Sequence, residues 1–95
     1  MILGTVVGTV VSNTKNDGIS GSRYLLISKS NQKGEQKNDY LVALDLIGAG
    51  KNELVMVAEG SSARETEVTL NKPMDAIVVG IVDLIDEDGQ IVYRK

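Results

Sequence analysis

Ala76-Ile77-Val78-Val79-Gly80-Ile81-Val82-Asp83-Leu84-Ile85 is the stretch on which the fold turns. All of it except Gly80 and Asp83 is aliphatic, and most of that is β-branched, which favours an extended strand over a helix. Successive side chains of a strand point to opposite faces. Ala76, Val78, Gly80, Val82 and Leu84 therefore face one way, with Ile77, Val79, Ile81, Asp83 and Ile85 opposite. Both faces are apolar, so both need a cover. The 95-residue chain has room for one domain, residues 1–95, and one interior. A small closed barrel buries one face of the strand, and a second copy of the chain is the natural cover for the other.

The rest of the sequence reads as strands in the same vocabulary. Ile2 to Val11 is a first strand, followed by a polar loop from Ser12 to Ser22. Arg23 to Ser28 is a second, and Lys29 to Asp39 a hydrophilic hairpin loop. Tyr40 to Ile47 is a third, stopped by Gly48-Ala49-Gly50, and Glu53 to Glu59 a fourth. The third strand repeats the two-faced pattern: Tyr40, Val42, Leu44 and Leu46 on one side, Leu41, Ala43, Asp45 and Ile47 on the other. After Gly60, Ser62 and Glu65 have the spacing of a capping box, which predicts one or two helical turns to about Glu67. Pro73 then favours an extended approach to the fifth strand, Ala76 to Ile85. Asp88-Gly89 is a hairpin turn leading into Gln90 to Tyr93. The expected fold class is all-β: a small closed OB-like barrel of about five strands, one short helix after the fourth, and a C-terminal hairpin.

Composition narrows function. The chain has no His and no Cys, so it lacks the usual neutral-pH base, thiol nucleophile, disulfides and zinc ligands. No catalytic residue, cofactor site or metal site is expected. It has no Phe or Trp, three Tyr and a net charge of −3, which argues against a nucleic-acid groove of stacking rings and basic residues. The opening apolar run is too short to cross a bilayer and has no basic residues before it, so no membrane association is expected. Three motifs have plain readings. Gly48-Ala49-Gly50 leads into a strand, unlike a dinucleotide loop; Asp86-Glu87-Asp88-Gly89 is a turn and not a calcium loop; Tyr24 and Tyr40 are packing residues on paired strands. Asp45 and Asp83 are charged exceptions on apolar strand faces. Each either meets a cation or backbone donor, with Arg64 a candidate partner, or is solvated near its strand end.

Four segments together carry a resemblance: Gly48-Ala49-Gly50; Glu53-Leu54-Val55-Met56-Val57; Gly60-Ser61-Ser62-Ala63-Arg64; and Pro73-Met74-Asp75-Ala76-Ile77-Val78-Val79-Gly80-Ile81-Val82-Asp83. With Gly4-Thr5-Val6-Val7-Gly8-Thr9-Val10, they resemble the bacterial microcompartment vertex family, the EutN/CcmL proteins. The resemblance implies a homopentamer in the bacterial cytoplasm that closes the vertices of a polyhedral protein shell. It also implies hexameric and trimeric shell proteins as partners. It assigns Ser61, Ser62, Ala63, Arg64, Ile81, Val82 and Asp83 to contacts with those partners. Gly48, Ala49 and Gly50 are candidates for a loop near the ring axis. The competing reading is an OB barrel that binds an oligonucleotide or oligosaccharide, which the charge and the scarcity of aromatics disfavour.

Overall fold

In a computed structural model, residues 1–11, 23–60 and 76–95 are described. Strands β1 (Ile2–Val10), β2 (Arg23–Ser30), β3 (Gln36–Asp45), β4 (Leu54–Glu59) and β5 (Ala76–Ile81) close into a barrel in the order β1-β2-β3-β5-β4. All neighbours are antiparallel except β3 and β5, which run parallel. This is the expected OB-like arrangement. Strands β6 (Leu84–Glu87) and β7 (Gln90–Arg94) form a separate hairpin. The helical turns expected after Gly60 lie outside the described residues.

The barrel is filled by small branched side chains, because the sequence offers nothing larger. Leu25, Ile27, Leu44 and Leu54 are the largest fully buried ones; Leu25 and Ile27 share the main cluster with Val6, Val55, Val57 and Val78, while Leu44 packs with Tyr24. Burying a side chain of this size stabilises by roughly 1.5–3 kcal/mol. Close packing also constrains the backbone. A Cβ built on Gly4 would fall on Cγ2 of Ile27, so β1 and β2 meet at a distance only glycine allows.

Several boundaries differ from the sequence reading. The β2–β3 hairpin is longer than expected, with β2 running to Ser30 and β3 beginning at Gln36. The side-chain oxygen of Asn31 accepts the N–H groups of Lys33 and Glu35, and Gly34 takes a positive φ of 81°, which folds a tight turn. Residues 36–39 are exposed, so pairing with β2 makes this part of the strand rather than burial. At its other end β3 stops at Asp45 instead of Ile47, where the chain turns. The fifth strand ends at Ile81 instead of Ile85, because Val82 and Asp83 break it and Leu84 begins the tail hairpin. The hairpin turn itself is as expected: Asp88 and Gly89 both have positive φ, 54° and 81°, between the paired Glu87 and Gln90.

A register shift between Ser28 and Ser30 changes the phase of β2. Strict alternation from Leu25 and Ile27 would turn Lys29 inward. The bulge instead buries Ser30, whose hydroxyl lies 2.8 Å from that of Thr5, while Lys29 reaches Asp39 at 3.6 Å. Such irregularities keep a charge out of the interior.

Candidate assembly interface

The outer wall of the barrel carries apolar side chains in two places. On the β2–β3 side, Tyr40 and Val42 are exposed, with Leu26 half-buried opposite Val42. On the β1–β4–β5 side, Met56 is exposed between Leu3 and Gly80, with the end of its side chain lying against Gly80. Val79 joins this second strip, because the register shift beside it leaves it unpaired and turned outward. The faces read in the sequence hold in part: Tyr40, Val42 and Val79 are exposed, whereas Leu44 and Ile77, read on the same faces as these, are buried. Tyr24 and Tyr40 do lie on paired strands. Tyr24 packs on Leu44, and Tyr40 stands opposite Ser28, so the two do not form a shared stacking platform.

One end of the barrel carries a cluster of charged side chains beside the exposed Leu46 and Ile47. Here β2 and β4 begin and β3 and β5 end, so the Leu46–Glu53 turn, Arg23 and Asp83 converge. Asp45 organises the turn. It is buried, and its Oδ1 accepts the N–H groups of Ile47, Gly48 and Ala49 at 3.1, 3.0 and 3.3 Å. Gly48 takes a φ of 81°, which a residue with a Cβ rarely adopts. Ala49 is fully buried in the core and pins the turn from beneath. The cation beside Asp45 is Arg23, directly opposite on β2, with Nη1 at 3.5 Å from Oδ2 and Nη2 donating to the Ala49 carbonyl. Of the two readings offered for Asp45, the one with a partner holds.

The far side of the turn is fastened by Glu53. Its Oε1 accepts the Gly50 N–H and its Oε2 pairs with Lys95, both at 2.5 Å. The Lys95 ammonium, followed by the Gly50 N–H, holds the Glu53 carboxyl below the ordinary carboxylate range. The same hydrogen bond to Glu53 raises Lys95. Backbone bonds from Val6 to Glu53 and from Asn52 to Val6 tie the turn to β1.

Of the residues expected at shell contacts, Ser61, Ser62, Ala63 and Arg64 lie outside the described residues. Ile81 is half-buried at the end of β5, and Val82 is buried with its N–H bonded to Leu54 O. Asp83 alone of the remaining three presents its side chain fully to solvent, 4.0 Å from Lys95. It is solvated and also has Lys95 as a nearby cation, so both readings meet at this residue. Sequence reasoning did not find Arg23, Glu53 or Lys95. Glu53 had a local signal, an acid three residues after a turn glycine, whereas Arg23 and Lys95 act across the fold.

The described residues contain no group of three acidic, His or Cys side chains able to hold a metal, and no helix long and apolar enough to cross a membrane. The geometry defines a class: an OB-like barrel with apolar walls and one polar, tightly built end, suited to contact between proteins. The profile of the EutN/carboxysome family (ethanolamine utilisation protein EutN/carboxysome) matches residues 1–83, and the chain belongs to this family. It is 42% identical over 95 residues to the carboxysome shell vertex protein CcmL of a Synechocystis species, covering all of this chain and 95% of that one. The structure of Gloeobacter violaceus CcmL superimposes with a TM-score of 0.93 at 38% identity, over 100% of this chain and 98% of that one. The pentameric microcompartment shell protein GrpN from Rhodospirillum rubrum gives a TM-score of 0.82 at 41% identity, over 92% and 99%.

Proposed function

We propose that the chain is a structural shell protein that assembles as a homopentamer and closes the vertices of a bacterial microcompartment in the cytoplasm. Six-fold units alone tile a flat sheet, and five-fold units at the corners supply the curvature that shuts it. A ring made by one repeated heterologous contact needs two different complementary patches on each protomer. The observation that carries the reading is the presence of two such strips, Tyr40 and Val42 on one wall and Met56 and Val79 on another. Membership of the EutN/carboxysome family supports the same reading. Native mass spectrometry tests it: five protomers are expected, whereas a monomer at micromolar concentration or a hexamer overturns it.

Within that reading, Ser61, Ser62, Ala63, Arg64, Ile81, Val82 and Asp83 form the edge that meets hexameric and trimeric facet proteins. Gly48, Ala49 and Gly50 approach the ring axis. The charge reversals Arg64→Glu and Asp83→Lys are expected to leave ring mass and melting temperature unchanged while reducing incorporation into shells on co-expression with facet proteins. A rim charge set against the wrong partner adds repulsion without disturbing the barrel. Dissociation of the ring or a large fall in melting temperature would refute the edge assignment and leave the pentamer standing.

A further inference from the structure

We propose that Lys95 and Glu53 form a latch that couples the position of the tail hairpin to the shape of the Gly48–Gly50 turn. The two oxygens of one carboxylate serve two separate segments. Oε1 holds the Gly50 N–H, while Oε2 holds the Lys95 ammonium. The Lys95 N–H in turn bonds the Asp83 carbonyl at 2.9 Å, closing the base of the hairpin onto the end of the barrel.

The main chain of Glu53 is fixed on both sides. Its carbonyl accepts the Val6 N–H at 3.0 Å, and its own N–H donates to Gly50 O at 3.2 Å. Its side chain is therefore aimed from a rigid base. The hairpin is not rigid in the same way. It forms a sheet of its own, and a two-stranded hairpin is marginally stable in water without a support. Its other described supports lie on the β2–β3 turn, where Gln32 bonds Glu87 at 3.1 Å and Tyr93 lies over Gly34.

Lys95 thus supplies the described link between the hairpin and the Gly48–Gly50 turn. When the hairpin moves, Glu53 loses the cation that orients it, and the Gly50 N–H loses a fixed acceptor. Coupling of this kind is reciprocal, so a contact that reshapes the turn also loosens the hairpin. The latch lies within one protomer and does not depend on where the turn sits in an assembled ring.

Amide hydrogen exchange of the full-length protein, read residue by residue, tests the latch. Lys95→Met keeps most of the apolar stem and removes the charge. It is expected to speed exchange at Gly50 and along residues 90–94 together, by about 1.5-fold to fivefold, the scale of one exposed ion pair. Residues 24–28 of β2 stay unchanged, and Lys95→Arg restores both segments. Glu53→Gln breaks the latch from the other side, speeds exchange in the hairpin by a similar factor, and adds nothing further when combined with Lys95→Met. Faster exchange in the hairpin alone, acceleration spread across β2, or additive effects in the double variant would each overturn the proposal.

Discussion

Replacing Asp45 with alanine tests whether one buried carboxylate builds the β3–β4 turn. The substitution removes the acceptor of three N–H groups, those of Ile47, Gly48 and Ala49. Ile47 and Gly48 are exposed, so water replaces the lost bond at each, and the net cost is about 1 kcal/mol apiece. Ala49 is fully buried, and a stranded buried donor costs about 1–3 kcal/mol. Relief of the carboxylate's own desolvation offsets part of this, leaving about 2–4 kcal/mol. At roughly 4–8 °C per kcal/mol for a domain of this size, the melting temperature falls by about 8–32 °C. Thermal unfolding followed by circular dichroism measures it, at fixed protein concentration because association makes the midpoint concentration-dependent. Two controls sharpen the reasoning. Asp45→Asn keeps one oxygen for the same amides but turns a buried NH2 toward Arg23 in place of Oδ2, so it costs about 1–2 kcal/mol. Arg23→Met removes a half-exposed cation but leaves the buried Asp45 Oδ2 without its partner, and costs about 1–2 kcal/mol. If Asp45→Ala proves no worse than Arg23→Met, the carboxylate does not build the turn. If Asp45→Asn is as damaging as Asp45→Ala, charge pairing rather than amide capping is what matters.

Two glycines separate steric from conformational cost. Gly4→Ala drives a methyl into Ile27 and is expected to destabilise by about 1–3 kcal/mol in urea unfolding, whereas Gly48→Ala meets nothing within 4 Å and costs about 1–2 kcal/mol through its positive φ alone. The protection of the tail hairpin is expected to depend on pH at two edges. Glu53 is lowered from 4.5, so its contribution is complete above that value and is lost as pH falls through the lower folded value. Lys95 is raised from 10.5, so its contribution is complete below that value and is lost as pH rises through the higher folded value. Asp83 and Tyr93 are the other titratable groups acting on Lys95. Hydrogen exchange in residues 90–94, corrected for intrinsic rates, should therefore be level between these edges and lose both in Lys95→Met.

The strands were legible because burial writes a pattern into sequence, and what burial does not decide stayed hidden. Leu25 and Ile27 alternate inward on β2. The first residues of β3 could not be read because Gln36, Lys37, Asn38 and Asp39 bury nothing, and the Asn31 turn sets their pairing. The end of β5 was misplaced for the opposite reason. Leu84 and Ile85 are as apolar as Ile81 and Val82, and an apolar run looks the same whether it continues in one sheet or passes into the next. The break comes where Val82 gives its N–H to Leu54 and the chain leaves the barrel, which is a matter of partners rather than of composition. Asp45 was visible as an anomaly, but its cation was not, because Arg23 meets it only through the β2–β3 register.

The division between apolar walls and a charged end bears on how a protein without catalytic chemistry can have an exacting function. Permanent contacts favour apolar surface, since charged groups buried between chains must be paired and hydrogen-bonded to avoid a net cost. The walls at Tyr40, Val42, Met56 and Val79 meet that requirement and suit a contact that never opens. The charged end, although Leu46 and Ile47 are exposed on it, is less suited to deep burial. Its carboxylates Asp45 and Glu53 are largely consumed in shaping their own turn, and Asp83 remains in water. A surface of that kind holds a fixed shape while staying hydrated, which fits a rim or an opening better than a core. The same sequence thus separates two tasks. On the proposed assembly, wall residues decide whether copies of the chain stay together, and end residues decide what the assembled object presents. Substitutions in the two regions should therefore fail differently, the first in oligomer mass and the second in local exchange and shell incorporation.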